Sequence, residues 1–380
     1  MAYKELFSRF LTADPTRLHF AAHSHHLWPD VAYDAHCQAW LDAAQLVDRK
    51  WDKVFSEVVP QTQAHITRIL GLDDPAAIAF APNTHELVAR LVSCFDGPVR
   101  ILSTDAEFHS FSRQSRRWEE AGVARVERIP VEPFDSFHDR FVEASSTGEF
   151  DLVFVSQVFF NSGFVFDRFA ELADAVVDEK CFIVIDGYHG FMALPTDLSA
   201  VQSRLFYLAG GYKYAMAGEG ACFMHCPPGY GERPLNTGWF AGFGQLEGGQ
   251  GGVHYATDGS RFLGSTFDPS AFYRFNAVQT LLADAGITPS TIHAHVRGLQ
   301  RRFIDGFEPG SLALIPSDNA ADRGHFLTFR TRDAGRIVDS LAKENVIVDR
   351  RDDRLRFGFG LYHDDADVDL LLARLAHVAV

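Results

Sequence analysis

The 380 residues hold only 5 cysteines, and no two of them form a CxxC pair. An odd count without that spacing argues against a disulfide framework or a cysteine-based zinc site, and it fits a reducing, cytoplasmic setting. Basic residues are also scarce. Lys and Arg number 35 against 50 Asp and Glu, for a net charge of −15. A surface of that sign repels phosphate backbones and anionic headgroups, so neither nucleic acid nor membrane is an expected partner. No apolar run is long enough to cross a bilayer. The opening stretch, MAYKELFSRFLTADP, breaks its apolar residues with charges and does not read as a secretory leader. Repeats and low-complexity tracts are absent.

What is present is an ordinary globular composition, 47% hydrophobic and 22% charged, in a chain long enough for a large domain plus a smaller one. Between residues 75 and 226, AIAFAP, VRILS, DLVFVS, CFIVID, LFYLAG and ACFMHC are continuous apolar runs of strand length, suited to strands buried on both faces. Amphipathic stretches such as NTHELVARLVSCF and FDRFAELADAVV separate several of them. Asn83, with Glu86 three residues on, predicts a helix N-cap with a capping box. The alternation predicts an α/β fold with a mainly parallel sheet. A large domain is expected over 15–265 and a smaller α+β domain, helix-strand-strand-helix, over 266–380, with segment 1–14 packing on the latter. Residues 241–252, AGFGQLEGGQGG, form a glycine-rich loop.

In such sheets, ligands sit beyond the carboxyl ends of the strands. Asp186 ends CFIVID, and Lys213 follows LFYLAGG, one strand later. A buried strand-end carboxylate and a lysine amine in this order suit pyridoxal phosphate (PLP): the amine forms a Schiff base and the carboxylate keeps the pyridine nitrogen protonated. The pair alone also reads as a helix cap and a surface lysine. Asn83 and Thr84 open a helix where an anion is stabilised. In RLRFGFGLYHDDADVD, alternation places Leu355, Phe357, Phe359 and Leu361 on one strand face and Arg356 on the other, beside Gly358 and Gly360. A guanidinium there can take a carboxylate in bidentate fashion. Arg350, Arg351 and Arg354 are near enough to compete for the role.

Several blocks, in order, resemble the kynureninase and class V aminotransferase branch of the fold-type I PLP enzymes. VIDGYHG is similar to the family's aspartate block, and GGYKYAMAGEG to its lysine block. The resemblance implies that Lys213 carries the cofactor, Asp186 faces the pyridine nitrogen, His189 contacts the cofactor, and Tyr212 hydrogen-bonds its phosphate. PNTHELV resembles the phosphate cup, with Asn83 and Thr84. EFHSFSRQ resembles the block in which Phe108 stacks on the ring and Ser110 reaches the phosphate. LNTGWF and RFLGSTFDPSA resemble blocks in which Trp239, Ser265 and Thr266 serve a neighbouring subunit's site, so the resemblance implies a homodimer. Arg356 would hold the carboxylate of an L-α-amino acid.

The likeness breaks at AAHSHHLWP, where kynureninases carry a different segment near the substrate. In a strand, His23 and His25 would share a face. They lack acidic or cysteine companions at ligand spacing, so the expectation is no metal and a histidine lining the substrate pocket. The histidine that ends the family's GWFGH block is missing, and Thr266 replaces an asparagine. No cysteine follows Cys226, which removes the nucleophile a cysteine desulfurase needs. The expected reaction is kynureninase-like hydrolysis of a Cβ–Cγ bond. The alternatives are a class V aminotransferase, another PLP-dependent lyase and a non-catalytic binding protein of the same fold.

Overall fold

The computed structural model describes residues 3–245, 252–317 and 323–377. Half of the glycine-rich loop, 246–251, therefore lies outside the described residues. Thirteen strands are described: β1 (Leu18–His19), β2 (Ile78–Ala81), β3 (Val99–Thr104), β4 (Ala124–Ile129), β5 (Leu152–Ser156), β6 (Phe182–Asp186), β7 (Leu205–Gly210), β8 (Cys222–His225), β9 (Ala313–Ile315), β10 (Phe326–Arg330), β11 (Val346–Ile347), β12 (Asp349–Arg351) and β13 (Arg354–Gly358).

Seven of them form one sheet in the order β2-β8-β7-β6-β5-β3-β4. Neighbours from β7 through β4 run parallel, and β8 runs antiparallel to both β7 and β2. The predicted apolar runs are these strands. β5, β7 and β8 are buried at every residue because helices cover both faces. One face packs on a cluster around Ile183, Ile185, Tyr207 and Phe223, the other on one around Leu87, Leu91, Phe154 and Phe206. Since β2 runs parallel to β7, the carboxyl ends of β2, β3, β5, β6 and β7 open on one edge.

The C-terminal part holds a four-stranded antiparallel sheet, β12-β13-β10-β9, backed by helices Pro289–Gly306, Ala334–Lys343 and Asp365–Leu375. It has more strands than the helix-strand-strand-helix expected, because β9, β11 and β12, at 3, 2 and 3 residues, are too short to register as runs. Leu355, Phe357 and Phe359 share its core, but β13 ends at Gly358 and Leu361 turns into the larger core instead. The chain's beginning is laced to this part. β1 pairs in parallel with β11, Lys4 meets Asp364 and Asp367 at 3.1 and 2.7 Å, and Phe7 packs edge-on to Tyr362. No described helix is long and apolar enough to cross a membrane.

Candidate active site

A cleft of about 1150 Å³ opens at the carboxyl edge of the large sheet. Asp186 ends β6 beside Ser156, the last residue of β5. Its Oδ1 accepts from the Tyr188 N–H at 2.9 Å, and among the described residues its carboxylate makes no ion pair. Gly187 follows because nothing larger fits: a Cβ there would stand 2.0 Å from the Tyr207 ring. Lys213 emerges from the turn after β7. Its Nζ hydrogen-bonds His189 Nε2 and lies 5.3 Å from the Phe108 ring centroid and 5.0 Å from that of Tyr188. Burial lowers the Lys213 amine to about 7, with Asp186 pulling back and Arg356 adding to the fall. Burial and the Lys213 charge together hold His189 neutral, well below its ordinary range. Burial raises the carboxyl of Asp186, which the Tyr188 N–H and Lys213 partly offset.

Two helix N-termini face the same cleft. Asn83 caps Thr84–Val92 by accepting from the Glu86 N–H at 3.0 Å. The reciprocal half of the expected box is absent, since the Glu86 carboxylate turns to Arg90 at 2.9 Å. Helix His109–Glu120 begins directly after Phe108 and carries Ser110 in its first turn. Asn83, Thr84, Phe108, Ser110 and Tyr212 all line the cleft.

The histidine segment is a turn rather than a strand, so His23 and His25 do not share a face. His23 is buried, stacks on Phe326 and pairs through Nε2 with Asp349 at 2.8 Å. His25 is half-exposed, does not line the cleft, and meets the Tyr212 hydroxyl at 3.2 Å. The segment explains the glycine that ends β13 and the one two residues on. A Cβ on Gly358 would fall 2.0 Å from His23 Nδ1, and one on Gly360 would fall 2.7 Å from His26 Nε2. The space expected for a ligand is thus filled by the protein's own histidines. Trp239, Ser265 and Thr266 lie away from the cleft: Trp239 is 45% exposed and stacks on Phe240, and the other two are on the surface.

Two acids that hold cleft-lining residues are not apparent from the sequence motifs. Glu107 is buried against Ser156 and Thr104, and desolvation raises its carboxyl to about 8. In sequence it is one acid among many. Asp349 takes both the Nε and Nη2 of Arg356 and accepts from His23. Its signal was the hairpin centred on Asp352 and Asp353, whose register sets Asp349 opposite Arg356.

Residues 292–375 match the family model of the kynureninase C-terminal domain. The chain superposes on the cystine C-S lyase C-DES in complex with its product cysteine persulfide, with a TM-score of 0.80, 17% identity, and coverage of 96% of this chain and 98% of that one. An apo cysteine desulfurase from Thermococcus onnurineus NA1 superposes with a TM-score of 0.77 at 16% identity, covering 98% and 96%. The chain has the fold of these enzymes. A C-DES variant with glycine covalently linked to its PLP cofactor gives 0.81 at 17% identity, covering 98% and 99%. At these identities the likeness is one of fold, and it bears out the α/β, fold-type I reading. Isopenicillin N epimerase of Streptomyces clavuligerus is 28% identical over 188 residues, which are 47% of this chain and 46% of the relative. The chain thus spans about half the length of that curated relative. The resemblance to the kynureninase branch stands on the fold and, most specifically, on the C-terminal segment.

Proposed function

We propose that this chain is a PLP-dependent enzyme acting on an L-α-amino acid, and that its reaction is kynureninase-like hydrolysis of the Cβ–Cγ bond. The observation that carries the reading is the Lys213 amine, lowered to about 7 in a cleft whose floor also holds Asp186. A neutral amine is the nucleophilic form. The residues fit the cofactor. Among the described residues Asp186 makes no ion pair and His189 Nδ1 is buried with no hydrogen-bond partner, and two helix N-termini offer N–H groups to a phosphate.

Lys213 would hold the group through its amine, Asp186 would face the ring nitrogen, Phe108 would cover the ring, and Thr84, Ser110 and Tyr212 would take the phosphate. When bound, PLP supplies an electron sink next to the substrate's Cα. Lys213, once released, is the base placed to move the Cα proton, and the neutral His189 beside it can relay that proton. Arg356 orients the substrate through its carboxylate. Trp239, Ser265 and Thr266 would complete the site of a second copy, so the enzyme would work as a homodimer of chains divided near residue 265.

The test is the visible spectrum of the purified protein with PLP, before and after L-kynurenine and 3-hydroxykynurenine. A band that shifts, with release of an anthranilate and alanine, supports the hydrolase. A band that ignores both, with keto acid formed only when an acceptor is added, replaces it with the aminotransferase. A Lys213→Ala protein that still forms a borohydride-reducible adduct overturns the lysine assignment.

A further inference from the structure

Arg356 is less available than its place in the motif implies. A guanidinium has five N–H donors. Asp349 takes two of those of Arg356, the Phe160 carbonyl takes a third, and two remain. The pairing also cancels its charge, since Asp349 lies against it in a site where Arg356 is 2% exposed. A substrate carboxylate therefore meets two N–H groups but no net positive charge from this pair.

The neighbouring arginines sort by register. Arg350 points to the opposite strand face, near Gly335. Arg354 is committed to Glu132 at 2.8 Å and to the Asn161 carbonyl at 3.2 Å. Arg351 lies on the same strand face as Asp349 and lines the cleft with a side chain 34% exposed. Only its Nη1 is engaged, by the Arg350 carbonyl at 2.7 Å and, more distantly, by Asp349 at 3.4 Å. Its Nε and Nη2 donate to no described residue. Its charge reaches Lys213 and His189, where it disfavours the protonated forms.

We infer that Arg351 is a second substrate-binding residue: the carboxylate seat has two arginines, with Arg356 supplying fixed donors and Arg351 the uncancelled charge. The inference rests on the PLP reading above and extends it.

It is tested without knowing the substrate. Aminooxyacetate and O-methylhydroxylamine both react with PLP held by an enzyme, and only the first carries a carboxylate. The ratio of their rate constants, followed by loss of the visible band, measures what the seat contributes. The wild-type protein should favour aminooxyacetate. Arg351→Ala should lower the ratio by about tenfold, the worth of one charge-assisted hydrogen bond, and Arg351→Lys should keep most of it. A ratio unchanged in Arg351→Ala, or no preference in the wild type, overturns the inference. So does an Arg351→Ala protein that loses its cofactor on dialysis, because the residue would then serve PLP. A wild-type protein with no visible band sinks the proposed function, and this inference with it.

Discussion

Lys213 owes its chemistry to where it sits. A solvated lysine is protonated at neutral pH, whereas this amine titrates near 7 because burial penalises its charge. PLP uptake by the apoprotein should therefore rise through pH 7 and level off well below pH 10, as followed by absorbance at several pH values. Asp186 opposes the shift, so Asp186→Asn should move that midpoint lower still. Glu107 gives the reverse case. Its folded carboxyl is raised to about 8, so the folded state holds a proton that the unfolded state releases above about 4.5. That group favours folding at low pH and loses its contribution as pH climbs to 8. Glu107→Gln should remove this slope in urea titrations, while Glu107→Ala should cost roughly 1–3 kcal/mol by leaving Ser156 and Thr104 without their acceptor. At this scale Lys213 and Asp186 were legible because each follows an apolar run. Glu107 was not, since burial and not residue type makes it unusual.

Among elements, β13 and the histidine turn form a pair. Neither makes sense alone: the turn needs a strand end with no side chain at Gly358, and that glycine needs something to fill the gap. Gly358→Ala would set a methyl group into the His23 ring. The expected result is overpacking of roughly 1–3 kcal/mol in a denaturant titration, together with displacement of His23 from Asp349. The buried strands of the large sheet were readable as continuous apolar runs. The contact between turn and strand was not, because more than 300 residues separate its partners in sequence and no local pattern encodes that distance. The hairpin of β12 and β13 falls between these cases, since its two central aspartates mark a turn from which the register can be counted.

For the molecule as a whole, the titrating interior is dominated by histidine. His23 and His26 are lowered to about 4, and His325 and His363 lie well below the usual value, all through burial. His363 is locked as one neutral tautomer: Nδ1 accepts from the Gly360 N–H at 2.9 Å and Nε2 donates to the His19 carbonyl at 2.8 Å. Unfolding lets these rings take protons below about pH 6.5, so their contribution to stability is present above that value and drains away as pH falls. Each costs about 1.4 kcal/mol per pH unit for the proton it excludes. Four such rings outweigh the opposing slope of the single Glu107. Lowering pH from 7 to 5 should therefore shift the denaturation midpoint clearly downward, and a midpoint that holds steady or rises would contradict this picture of the interior.

The link between His23 and Asp349 also has a temporal meaning. A ribosome makes His23 326 residues before Asp349. The residues of the cleft floor, from Asn83 to Lys213, are all made before Asp349. The proposed seat for a carboxylate cannot be complete by then, since its aspartate and both arginines are made after Lys213 and must close on a turn made 326 residues before Asp349. On the proposed reading, a nascent chain paused short of residue 349 would hold the lysine but not the pair formed by Asp349 and Arg356, so the order of synthesis itself would delay the capacity for chemistry.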